Sequence, residues 1–211
     1  ISLVLEALKE RGLMIQNAPH LVSNQAFVIP NYSWWDGPFY QLGLKIYDFM
    51  SGDLGIGSSK RLSVEETICH IPTIDQKELA GGVIYFDGQF DDARMAISLA
   101  KTAAQFDGVL LNYMKVEKII KNEEGIAEGV MALNLETQEK YQIHSKVVIN
   151  ATGVFADAIK KMDDSDAREM IQPSQGTHIV LDASFLPDKY AIMVPRTKDG
   201  RVLFAVPWHN K

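Results

Sequence analysis

Apolar positions recur at helical spacing at the start of the chain, where Leu5 and Leu8 share a face, Ser2 stands as a cap and Gly12 as the expected stop. The pattern then breaks into shorter runs. Ala26-Phe-Val-Ile29 reads as a strand closed by Pro30, and Pro38 opens a second helix expected to reach about Gly52. Ser63 and Glu66 have capping-box spacing for a third helix, which Pro72 must end. After Gly81-Gly82 the texture alternates. Val83-Ile-Tyr-Phe86 predicts a strand, Asp91 or Asp92 caps a long helix, and Gly108 follows as its stop.

Strand-like segments follow at 110–116, 117–121, 126–133 and 140–144, separated by the turn-rich Asn122-Glu-Glu-Gly125 and Glu136-Thr-Gln138. Their spacing suggests a small antiparallel meander. Lys146-Val-Val-Ile-Asn150 reads as a buried strand that delivers Ala151-Thr-Gly153 to a helix over 156–161. Further strand-like runs lie at 179–181, 191–195 and 199–204, the last opening on Asp199-Gly-Arg201. The sum is a mixed α and β chain without internal repeats.

Composition narrows the functional classes. The 211 residues include 21 basic and 27 acidic side chains, a formal charge of -6, and neither sign forms a block suited to nucleic acid or an anionic membrane. A lone cysteine, Cys69, excludes an internal disulfide framework and a cysteine-based metal site, fits a reducing compartment, and is expected to pack quietly in a helix. No stretch approaches the roughly 20 apolar residues that span a bilayer, and the start lacks the pattern of a signal peptide. Opening on Ile1 and stopping at Lys211 just after a strand-like run, the chain reads as an internal piece of a longer one.

Four stretches carry candidate chemistry, each with a plain structural alternative. Val147-Val-Ile-Asn-Ala-Thr-Gly153 ends in small residues that would let backbone approach a bulky, phosphate-bearing cofactor, or it is an ordinary strand ending at a glycine turn. Asp91, Asp92 and Arg94 suit the start of a helix, where capping is the simpler reading. His178 and Arg201, brought together if the runs around them pair as strands, offer a proton acceptor and a phosphate-matching fork; otherwise they are a core histidine and a surface charge. The aromatic run Tyr32, Trp34, Trp35, Phe39, Tyr40, Tyr47 and Phe49 suits a membrane interface or packing of the helix over 38–52.

The order of these segments resembles the FAD-dependent glycerol-3-phosphate dehydrogenases, of the amino-acid-oxidase-like superfamily, over essentially the whole chain. The matching text is Leu8-Lys-Glu-Arg-Gly-Leu13 with Asn17-Ala-Pro-His20, then Gly82-Val-Ile-Tyr-Phe-Asp-Gly-Gln-Phe-Asp-Asp-Ala-Arg94. It continues in Asn150-Ala-Thr-Gly153, Gln175-Gly-Thr-His178 and Gly200-Arg-Val-Leu-Phe-Ala-Val-Pro-Trp208. The resemblance implies oxidation of sn-glycerol 3-phosphate to dihydroxyacetone phosphate, with a hydride passed to FAD and electrons then to a membrane quinone. It implies His178 as a catalytic residue that helps take the hydroxyl proton, Thr177 and His178 as substrate contacts, and Arg201 as the phosphate ligand. It places the Val116 backbone beside the adenine and Ala151, Thr152 and Gly153 near the flavin nucleotide, with Asp91 and Arg94 mainly structural.

The fold implied is α/β with mixed α+β character: a partial FAD-binding domain of the glutathione-reductase and amino-acid-oxidase type, plus part of a mixed-sheet substrate domain. Residues 1–82 would belong to a helix-rich substrate or cap region, 83–162 to the flavin domain and 163–211 to the substrate-domain sheet. The parent enzyme would be cytoplasmic and peripherally attached to the inner face of the cell membrane. The Gly-x-Gly-x-x-Gly turn of the family is absent from the sequence, so the chain alone is expected to hold little FAD. An oxidase that uses oxygen instead of quinone, and a non-catalytic fold or interaction module, remain alternatives.

Overall fold

The computed structural model describes residues 2–33, 43–45, 55–197 and 199–208. They form two compact units, one from Ile1–Leu99 with Ile179–Lys211 and the other from Ala100–His178.

The first unit is built on a mixed five-stranded sheet of order β2-β3-β1-β7-β8. Its central strand β1 (Val22–Asn31) pairs antiparallel with β3 (Gly81–Phe90), which pairs antiparallel with β2 (Lys60–Leu62). On its other side β1 runs parallel to β7 (Ala191–Val194), which turns back into β8 (Leu203–Ala205). One face of this sheet carries the core of Val28, Leu62 and Ile84, closed by Ile71 from the end of α2 (Val64–His70). The opposite face carries a stack of Phe27 on Tyr85, 5.3 Å between ring centroids, with Phe204 edge-on to Phe27. Alternation along β1 thus divides two apolar layers.

The capping box of α2 forms as expected. The Ser63 backbone N–H donates to Glu66 Oε2 at 2.8 Å, and the Glu66 N–H donates to Ser63 Oγ at 3.1 Å. Gly82 lets this helix lie close on β3, since a Cβ there would stand 2.9 Å from Thr67 Oγ1 and 3.2 Å from the Ile29 carbonyl. Cys69 lies in α2 but is exposed, because Thr67 occupies the buried face.

Two elements outrun the sequence expectation. α1 (Ser2–Asn17) passes Gly12, which is buried one turn beyond Leu8 and gives the helix a slim face towards the sheet. There Arg11 pairs with Asp87 at 3.4 Å. β1 passes Pro30, which is tolerated because β7 pairs only with Phe27 and Val28 and leaves β1 an edge beyond them. Of the helix expected over 38–52 only 43–45 are described, and they are helical. Among the aromatic candidates only Tyr32 is described; its hydroxyl donates to the Asp75 carbonyl at 2.9 Å.

β3 leads into α3 (Asp92–Gln105), whose start is capped by Asp91: Oδ1 accepts from the Arg94 N–H at 3.0 Å. Its end is a left-handed turn at Asp107, after which the Gly108 N–H donates to the Ala103 carbonyl at 2.9 Å.

The second unit holds the expected meander of β4 (Met114–Lys121), β5 (Ala127–Asn134) and β6 (Lys140–His144), antiparallel throughout. Asn122 and Asn134 close its turns, each accepting two backbone N–H groups through Oδ1. The strand starts at Met114, not at Leu110, because Tyr113 takes a left-handed conformation that breaks the extended path. α4 (Ala156–Asp163) is fastened to β4 through Lys121, whose Nζ lies 2.9 Å from Asp163 Oδ1.

Two expected strands do not form. The runs 146–150 and 179–181 are irregular and exposed, with Ile149 83% and Ile179 81% accessible. Apolar β-branched residues favour a strand only where a neighbour completes the ladder, and no described strand pairs with either run.

Candidate functional site

Asn150 shapes the most structured part of the candidate site. Its Oδ1 accepts from the Thr152 hydroxyl at 2.8 Å and the Thr152 N–H at 3.4 Å, while its Nδ2 donates to the Ala156 carbonyl at 2.9 Å. One side chain therefore braces the whole turn from 150 to the start of α4. Within it Gly153 takes φ +58°, a conformation that favours glycine, and a Cβ there would meet nothing within 4 Å. Ala151, Thr152 and Gly153 are all exposed. A rigid, bare and open turn fits the close approach of a large cofactor, here the dinucleotide that the sequence resemblance implies. Val116 lies half-buried in β4, paired with Ala132 at a bulge before Lys118.

Thr177 and His178 follow each other in an exposed, irregular segment, where neither side chain makes a hydrogen bond among the described residues. Upstream the same segment is held to α4. Asp157 Oδ2 accepts the N–H groups of Met170 and Ile171, each at 2.9 Å. These two bonds hold the Asp157 carboxyl below its usual range against the opposing effect of partial burial, and Lys160 and Lys161 add to them.

Arg201 sits in the turn between β7 and β8. The Thr197 N–H donates to the Arg201 carbonyl at 2.8 Å, and the Gly200 N–H donates back to Thr197 at 2.9 Å. The guanidinium is exposed and pairs with Asp199, its Nε donating to Oδ2 at 2.7 Å. Arg201 and the Thr197 hydroxyl hold the Asp199 carboxyl below its usual range. The strand pairing expected to join His178 to Arg201 is absent, since β8 pairs with β7 and not with 179–181.

The structure therefore gathers Ala151, Thr152 and Gly153 into one turn and gives Arg201 a carboxylate partner of its own. Sequence reading missed the work of Asp157, Asp199 and the Asn150 side chain. Asp199-Gly200 is a turn signal that could have placed Asp199 beside Arg201. Asp157 left no such signal, because its partners are backbone groups more than ten residues away.

The family model for FAD-dependent oxidoreductases matches residues 1–211. Mitochondrial glycerol-3-phosphate dehydrogenase of Schizosaccharomyces pombe is 40% identical over 220 residues, covering 100% of this chain and 34% of that protein. The mitochondrial glycerol-3-phosphate dehydrogenase of Homo sapiens is 38% identical, covering 99% of this chain and 29% of its own length. The chain thus spans about a third of these curated relatives. Among solved structures, glycerol-3-phosphate dehydrogenase from Bacillus halodurans complexed with FAD superposes with a TM-score of 0.69 at 27% identity. That match covers 95% of this chain and 35% of the solved one.

Proposed function

Because the chain belongs to the family of FAD-dependent oxidoreductases, we propose that it is part of a flavoprotein that oxidises sn-glycerol 3-phosphate to dihydroxyacetone phosphate. The observation that carries this reading is the likeness to glycerol-3-phosphate dehydrogenases along the entire chain at 38–40% identity. The flavin, when bound, supplies the acceptor for the hydride that leaves C2 of the alcohol.

The residues of this chain supply binding and proton handling. His178 takes the hydroxyl proton through an imidazole that is open to substrate, with Thr177 contacting the substrate beside it. Arg201 offers its planar fork to the phosphate, which must compete with Asp199 for it. The exposed backbone of Ala151, Thr152 and Gly153 lies against the flavin nucleotide, and the Val116 main chain borders the adenine. Of the 83–162 expected for the flavin domain we assign 100–162, which lies in the second compact unit, to flavin-side structure; β3 belongs to the five-stranded sheet, which we assign to the substrate side. Electrons leave to a quinone from an enzyme held peripherally at a membrane; among the described residues no helix is long and apolar enough to cross one.

Steady-state oxidation of glycerol 3-phosphate by the full-length protein tests the reading. Arg201→Ala should raise KM about tenfold or more, because the bound phosphate loses its charged partner. His178→Ala should lower kcat by about a hundredfold, the scale of general-base catalysis. Absence of glycerol 3-phosphate oxidation in the wild type overturns the function, and an unchanged KM in Arg201→Ala overturns the phosphate assignment. Stoichiometric hydrogen peroxide in place of quinone reduction overturns the acceptor.

A further inference from the structure

The irregular stretch between α4 and His178 is pinned at three successive points to α4 itself. Lys160 Nζ donates to the Arg168 carbonyl at 3.3 Å, Lys161 pairs with Glu169 at 2.6 Å, and Asp157 receives the N–H groups of Met170 and Ile171. α4 is in turn fixed at its far end to β4 by Lys121, and its near end continues the turn braced by Asn150. A single eight-residue helix therefore grips the Ala151–Gly153 turn at one end and the approach to His178 along its side.

The three pins differ in strength. The Lys161 and Glu169 side chains stay largely in water, where an ion pair contributes little. Asp157 differs in kind. It is a carboxylate taking two backbone donors on one oxygen, while its other oxygen is closed off from solvent and unbonded. Charge-assisted bonds of this type are roughly twice as strong as neutral ones, and both donors belong to the main chain, so they fix backbone and not only side chains.

We propose that Asp157 is a positioning residue: its carboxylate sets where the segment 170–178, and with it His178, stands relative to the Ala151–Gly153 turn. The proposal rests on the reading that His178 and this turn serve one active site. Catalytic geometry is sensitive to displacement, a shift of about 1 Å costing on the order of a hundredfold in rate. Loosening the latch therefore acts on turnover, while Arg201, proposed above for the phosphate, lies outside the latched segment.

The test uses the full-length protein with Asp157→Ala and Asp157→Asn. Amide hydrogen exchange at Met170 and Ile171 reads the latch, and kcat per bound flavin with KM for glycerol 3-phosphate reads its consequence. In Asp157→Ala, exchange at both amides should accelerate by about tenfold or more. In the same variant kcat should fall about tenfold or more, with KM within about twofold of wild type. Asp157→Asn keeps an acceptor oxygen and should recover most of kcat. Unchanged exchange in Asp157→Ala overturns the latch, and faster exchange with unchanged kcat overturns the positioning role. Parallel loss of kcat and KM in both variants, with the asparagine no better than the alanine, also overturns it. A wild type that does not oxidise glycerol 3-phosphate refutes the functional reading alone, and the exchange measurement still decides the latch.

Discussion

The guanidinium of Arg201 reaches back two residues to Asp199, its Nε 2.7 Å from Oδ2. The proposed phosphate ligand is thus already engaged, and a substrate must displace a carboxylate to reach it. Both side chains are exposed, so the pair holds the fork in place without binding it tightly.

Asp199→Asn removes the competing charge at nearly constant side-chain size and keeps one of the two acceptor oxygens. KM for glycerol 3-phosphate should fall by no more than about fivefold, the scale an exposed ion pair sets, with kcat unaltered. A rise in KM would mean that Asp199 orients Arg201 more than it competes with substrate.

Ile71 closes the core of the five-stranded sheet against Val28, Leu62 and Ile84 and is fully buried. Truncation there leaves a void among rigid strands, so Ile71→Ala should destabilise by roughly 2–5 kcal/mol and Ile71→Val by about 1 kcal/mol. Equilibrium denaturation with urea measures both. A loss well under 1 kcal/mol for the alanine would show that α2 settles into the gap.

Asp157 links the latch to pH. Its folded carboxyl titrates below the ordinary 3.8, so the ionised form is favoured by folding. This stabilising contribution is complete above 3.8 and is lost as pH falls through the lowered folded value. The difference in melting temperature between wild type and Asp157→Asn should hold steady from neutral pH down to about 3.8 and shrink as pH falls further towards the lowered folded value. A difference that grows on acidification would contradict the hydrogen-bonding arrangement.

What the sequence reveals depends on how local the responsible interaction is. Ser63 with Glu66, Asp91 ahead of α3 and the Asn122 turn of the meander all act within four residues, and each forms as the pattern predicts. Val147 to Asn150 and Ile179 to Leu181 have strand composition, yet a strand is a property of two segments and the second is missing among the described residues. Gly12 and Pro30 mislead for the converse reason: tertiary context gives the glycine a face to press against and the proline an unpaired edge. At the site, the small-residue turn was readable because Gly153 signals its own backbone. The latch by Asp157 was not, since a backbone N–H leaves no trace in the choice of residue at Met170 or Ile171.

The parallel pairing of β1 with β7 also sets an order of events during synthesis. Phe27 meets Ala191, a partner made roughly 160 residues later, which at ~5–20 residues per second is a wait of about ten to thirty seconds. The stretch 100–178 is continuous in the chain and can close on itself within that interval. Until β7 arrives, Val28 and Phe27 lie on a strand whose second edge is open, and that edge is where a nascent chain of this protein is most exposed to wrong pairing.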